Sequence, residues 1–120
     1  IEGLKAFVKE HKPRSAHFTA IGAFSEAVLA YFDWPSKKYQ DIPVKEQVEV
    51  LTLAGDIAWK ADGEPVIHAH AIVGRSDGST RGGHVKSARV RPTLELVLVE
   101  YPKHLERKHD SDSGLALIRV

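Results

Sequence analysis

A chain of 120 residues is long enough for one domain with a modest core. Its 17 Lys+Arg against 16 Asp+Glu leave a formal charge of +1, which argues against a strongly basic nucleic-acid coat, and 42% hydrophobic residues with 28% charge of mixed sign describe a soluble globular protein rather than a disordered one. The absence of Cys excludes disulfides, thiolate metal sites, iron–sulfur clusters and cysteine nucleophiles, and no apolar run is long enough to cross a membrane, so a cytoplasmic protein is expected.

The chain opens on Ile1-Glu2-Gly3-Leu4 and contains no Met, so an element upstream of residue 1 is expected. Leu4, Phe7, Val8 and His11 recur at helical spacing and Pro13 ends the pattern, which predicts an amphipathic helix over residues 1–11. A short β-prone run containing Gly22 follows at 17–23, then a largely buried strand at 27–32, closed by the turn Asp33-Trp34-Pro35-Ser36. Residues 38–42 supply a partner strand that Pro43 ends. The longest β-like stretch is 48–58, separated from a strand at 65–73 by an Asp62-Gly63 turn. A second Asp-Gly turn at Asp77-Gly78 leads to a short segment at 82–85, and 93–99 reads as one more strand. Residues 103–109 are expected to form a helical turn, and residues 115–120 a closing strand. The sum is an α+β domain, mainly antiparallel β-sheet or sandwich, with one N-terminal helix and a short second helix, spanning 1–120 as a single unit.

The seven histidines are the chemical signal. His68 and His70 lie two apart in the apolar strand at 65–73, so alternation projects both imidazoles from one face, about 6.5–7 Å apart along it. A hairpin pivoting on Asp77-Gly78 returns His84 opposite residues 70–72, and a one-residue bulge in one sense sets it against His70. Three imidazoles then converge as a zinc site requires, and Gly82-Gly83 leaves room for close backbone approach. The plainer alternative is three half-exposed strand histidines making ordinary hydrogen bonds.

Two carboxylates sit within apolar strands: Glu49 beside Leu51 and Leu53, and Glu95 beside Thr93 and Val97. Each either reaches an edge, pairs with an arginine such as Arg89 or Arg91, or serves as a base or supporting partner for a metal-bound group. Between residues 75 and 91 the basic residues Arg75, Arg81, Lys86, Arg89 and Arg91 face only Asp77, a patch able to meet phosphate or simply a solvated hairpin face.

The order of motifs resembles a known family. Phe18-Thr19-Ala20-Ile21-Gly22-Ala23, Val28-Leu29-Ala30-Tyr31-Phe32 and Glu49-Val50-Leu51-Thr52-Leu53-Ala54-Gly55-Asp56-Ile57 follow its pattern. So do His68-Ala69-His70, the Asp77-Gly78 turn and Gly82-Gly83-His84-Val85. The chain is similar to the plants and prokaryotes conserved domain, in its stand-alone prokaryotic form. That resemblance implies an antiparallel α+β domain assembling as a homotrimer, an N-terminal strand ahead of the first helix, and a metal site on His68, His70 and His84. Plant members carry the domain beside AT-hooks; this chain has no Arg-Gly-Arg-Pro core, so DNA association carries over weakly. Three readings stay open: a trimeric interaction or regulatory module with a zinc site, a small zinc-dependent hydrolase or lyase, and a structural trimer whose histidines are incidental.

Overall fold

The computed structural model describes residues 2–103 and 105–119. One helix, α1 (Glu2–His11), precedes seven strands: β1 (Ala16–Asp33), β2 (Lys38–Val44), β3 (Val48–Lys60), β4 (Pro65–Gly74), β5 (Thr80–Glu100), β6 (Glu106–His109) and β7 (Ala116–Arg119). They form one sheet in the order β2-β1-β5-β4-β3-β6-β7, and β1 also pairs with β3. The ladder β1-β5-β4-β3 therefore closes on itself. Every pairing is antiparallel except β3 with β6, which is parallel. This is the mainly antiparallel architecture with an N-terminal helix that the sequence leads one to expect.

Val8 of α1 is fully buried and Leu4 packs against the core, while Phe7 is 41% exposed and stacks on His11. The helix stops at Lys12, whose φ of 46° and bond from its N–H to the Val8 carbonyl close the last turn ahead of Pro13. Inside the closed ladder, Phe18, Phe24, Leu29, Val48, Ile57 and Val73 are fully buried. Their period-2 partners on the inner face, Ala20 beside Phe18, Val50 beside Val48 and Ala71 beside Val73, are buried with them.

Three expectations need correction. The pieces at 17–23 and 27–32 are one 18-residue strand, β1, and those at 82–85 and 93–99 are one 21-residue strand, β5. Gly22 and Pro92 look like breaks locally, but both sit at a bulge: residues 91–93 of β5 oppose Ala23 alone. Pro92 owes the ladder no N–H there, and Gly22, at φ +149°, lies where a Cβ would run into the Thr93 carbonyl. Pro43 likewise lies inside β2, an edge strand that tolerates it.

The short second helix is absent among the described residues. Of the segment 103–109, His104 lies outside the described residues, and 106–109 are the strand β6, hydrogen-bonded to β3 and β7. The charge run suits a helix in isolation, but in the strand Arg107 is buried while Lys108 and His109 are exposed. Of the expected closing strand at 115–120, β7 occupies Ala116–Arg119, and Val120 lies outside the described residues.

Candidate metal centre

The β4–β5 hairpin turns on Asp77-Gly78. Asp77 Oδ1 accepts the Ser79 N–H at 2.9 Å, Gly78 takes φ +81°, and the Arg75 N–H reaches the Ser79 carbonyl. That turn fixes the register in which His70 faces His84 and Ile72 faces Gly82. His68, two residues before His70 on the same face, completes the group. One ring nitrogen from each of the three lies within 4.8 Å of the others. Ring centroids are 5.0 Å (His68–His70), 5.2 Å (His68–His84) and 5.5 Å (His70–His84) apart. His68 Nε2 and His70 Nε2 are 3.2 Å apart, close to the ~3.3 Å separating two nitrogens that share one tetrahedral zinc.

The site is half-sheltered: His70 is exposed, and His68 and His84 are partly buried. Tyr39 of β2 stacks on the His84 ring at 4.8 Å, and His84 Nδ1 is buried with no hydrogen-bond partner. A polar atom stranded in this way costs about 1–3 kcal/mol unless something satisfies it. Three imidazoles with no competing thiolate or carboxylate among them make a donor set suited to zinc or a similar borderline divalent ion. The residues therefore fit the ion their pattern implies.

The electrostatics favour the neutral form, the one that binds metal, at His70 and His84. Burial, then the charges of His68, His70 and Lys86, push His84 down to about 4. Burial and His68 lower His70 as well. An unfolded-chain histidine titrates near 6.5, so between about 6.5 and 4 the unfolded state binds the extra proton and stability must fall as pH falls. The urea midpoint of metal-free protein is expected to drop steadily from pH 7 to pH 4.5, and His84→Asn to flatten that slope. An equally steep slope in the variant would place the titrating group elsewhere.

Behind the histidines stands a carboxylate that sequence reasoning missed. Asp56 of β3 is cross-strand to His68 on one side and to His17 on the other. Its Oδ2 lies 3.8 Å from His68 Nδ1, and its Oδ1 accepts from Arg107 Nη2 at 2.6 Å. Burial opposes the charge of Asp56, but His68 and Arg107 outweigh it and hold the carboxyl below its ordinary range. Counting back through the Asp62-Gly63 turn would have set Asp56 near His68; the contribution of Arg107 from β6 has no comparable local signal.

Glu49 and Glu95 do not join the site. Both are exposed. Glu49 pairs with Gly74 and Ala23, and Glu95 with Ile21, all away from the histidines along the strands. Neither pairs with Arg89 or Arg91 among the described residues; Arg89 reaches Glu26 at 3.4 Å. The basic patch is mostly neutralised by carboxylates on neighbouring elements. Arg75 binds Glu46 at 2.7 Å and lies 3.8 Å from Asp77, and Lys86 binds Asp41 at 2.6 Å. Arg81 turns toward the Pro43 carbonyl at 3.4 Å, and among the described residues Arg81 and Arg91 are in no ion pair. A cleft of about 740 Å³ lies between α1 and β5, but its lining is largely apolar (Phe7, Phe18, Phe24, Leu94) and includes none of the three histidines.

Comparison with known proteins places this geometry. The family model described as Plants and Prokaryotes Conserved (PCC) domain matches residues 1–102. The fold is similar to a candidate DNA-binding protein of Bacteroides thetaiotaomicron, at TM-score 0.92 and 34% identity over 98% of this chain and 82% of that one. It is similar too to a metal-containing protein of Archaeoglobus fulgidus, at TM-score 0.89 and 34% identity over 100% of this chain and 84% of that one. Among curated sequences it is 31% identical to the bifunctional protein GlmU of a Synechococcus strain over 98% of its own length; the chain spans only 18% of the length of that relative.

Proposed function

Because this chain belongs to the Plants and Prokaryotes Conserved domain family, we propose that it is a homotrimeric interaction or regulatory module, DNA-associated, holding a zinc ion on His68, His70 and His84. The observation that carries the reading is the convergence of three imidazoles from two strands of one hairpin, backed by Asp56. The Archaeoglobus relative, described as metal-containing, supports the ion, and the Bacteroides relative supports the nucleic-acid association.

Self-association has a surface to use. By strand alternation and register, His68, His70 and Ile72 of β4 share an outer face with Thr19 and Ile21 of β1 and with Val97 and Val99 of β5. Ile21 is 58% and Val97 66% exposed, with Ile72 and Val99 also open. Contiguous apolar strand residues beside a polar site are what an interface between copies covers. The domain is one unit on this reading. No helix of the described residues is long and apolar enough to cross a membrane.

A second reading, a small zinc-dependent hydrolase or lyase, draws on one observation: three protein ligands leave a further coordination position for water or substrate. When bound, the ion would supply Lewis acidity there. The chain's own residues give this reading less, because Glu49 and Glu95 are remote and Asp56 is engaged by Arg107.

The test is elemental analysis and light scattering on untagged protein, wild type against the His68→Ala/His70→Ala/His84→Ala triple variant. About one zinc per chain in a trimer, with zinc lost and the trimer kept in the variant, is the expected outcome. No metal after dialysis against zinc would overturn the site, and a monomer would overturn the assembly.

A further inference from the structure

Among the described residues, Arg107 is the buried charged side chain, at 7% exposure. A buried guanidinium is costly unless fully partnered, and an ion pair in such a place is a poor way simply to add stability. Arg107 sits on β6, beside β3 in parallel register opposite Lys60; its two Nη atoms are both committed, while its buried Nε has no hydrogen-bond partner. Nη1 donates to the Ala116 carbonyl of β7 at 2.7 Å, and Nη2 to Asp56 Oδ1 at 2.6 Å. The other oxygen of that carboxylate faces His68 Nδ1 at 3.8 Å. One line of contacts thus runs from the C-terminal hairpin through a clamped carboxylate to one of the three histidines.

We infer that Arg107 and Asp56 are positioning residues for the histidine centre, and that the β6–β7 hairpin thereby sets its metal affinity; this rests on the metal reading above. The physical reason is the choice of tautomer. A carboxylate facing Nδ1 favours a proton on that nitrogen over a lone pair, and leaves Nε2 of His68 as the donor on the side where His70 Nε2 lies 3.2 Å away. Without Arg107, Asp56 loses the donor that holds Oδ1 in place, and the imidazole loses its orienting partner. Deleting such outer partners typically weakens metal binding by about 10–100-fold.

The test uses zinc(II) as the probe, titrated against a competing chelator into the full chain, wild type and the Arg107→Met, Asp56→Asn and double variants. Each single variant is expected to bind zinc about 10–100-fold more weakly, and the double variant no more weakly than the worse single, because the two act in series. Nitrogen NMR of the histidine rings in metal-free protein supplies the readout that a purely structural role would not move: His68 holds its proton on Nδ1 in the wild type and becomes a tautomer mixture in Asp56→Asn. Should Arg107→Met fail to fold, the near-isosteric Asp56→Asn carries both measurements. Wild-type affinity in the variants with an unchanged tautomer overturns the inference while leaving the metal site standing. A wild type that takes up no zinc overturns the metal reading itself, and this inference with it.

Discussion

Replacing His84 alone with alanine is expected to reduce bound zinc from about one ion per chain to none at micromolar free metal, with the fold retained. His84 is the ligand that only the hairpin can deliver. His68 and His70 are neighbours on β4 and remain a two-nitrogen fragment without it, whereas His84 arrives across the sheet by the His70–His84 pairing. Two imidazoles hold zinc far more weakly than three, because each donor lost exchanges a fixed ligand for water. Truncation also removes the ring stacked on Tyr39 and the stranded Nδ1, so stability is expected to change by less than about 1 kcal/mol. Isothermal titration with zinc, beside a urea melt of the metal-free protein, reads both. Wild-type affinity in His84→Ala would show that the ion sits elsewhere.

A second large effect is expected one residue earlier, and it separates two adjacent glycines. A Cβ on Gly83 would lie 2.6 Å from the Ala30 carbonyl oxygen and 3.3 Å from the Ala30 N and C atoms. All three are backbone atoms of β1, bound into the seam that joins β1 to β5, so they cannot swing aside as a flexible side chain would. At Gly82 the nearest atoms are the Ala71 carbonyl oxygen at 3.3 Å and Ile72 Cγ1 at 3.5 Å, which a shift of a few tenths of an ångström relieves. Gly83→Ala is expected to cost about 3 kcal/mol, the upper part of the usual range for an inserted methyl group, and Gly82→Ala less than about 1 kcal/mol. Because the seam carries Ala30 against His84 itself, Gly83→Ala should also weaken zinc uptake, which Gly82→Ala leaves intact. Denaturant unfolding and zinc titration of the two variants check this. Equal stability in both would remove close strand approach as the reason for glycine at 83.

The histidine centre was legible in the sequence because every step to it is local. Alternation puts His68 and His70 on one face, and an Asp-Gly turn returns His84 to within a residue of its observed partner. Asp56 was within reach of the same counting through the other Asp-Gly turn, but carboxylates inside apolar runs drew attention to Glu49 and Glu95 instead. Both proved to lie on exposed faces, where a charge costs nothing to keep. The two long strands were read as four short ones because glycine and proline break a ladder only where it owes them a hydrogen bond or a side chain, and bulges remove that debt. Arg107 was hidden for a different reason. Its neighbours Glu106, Lys108 and His109 make a polar run with no apolar period, and only parallel pairing with β3, some 47 residues earlier in the chain, decides that it becomes a strand.

The pairings also differ widely in how much chain they enclose. His70 and His84 are 14 residues apart, while the seam that closes the ladder joins Ala16 to Glu100, 84 residues apart. Closing the longer loop costs about 1.6 kcal/mol more in chain entropy, and contacts of such separation are the slow ones to form. All three histidines therefore belong to the part of the chain that can assemble first, on a freshly made hairpin, before the circuit of strands around it is complete. An ion bound at that stage would hold β4 to β5, as a local staple, while β1 is still searching for its place between β3 and β5.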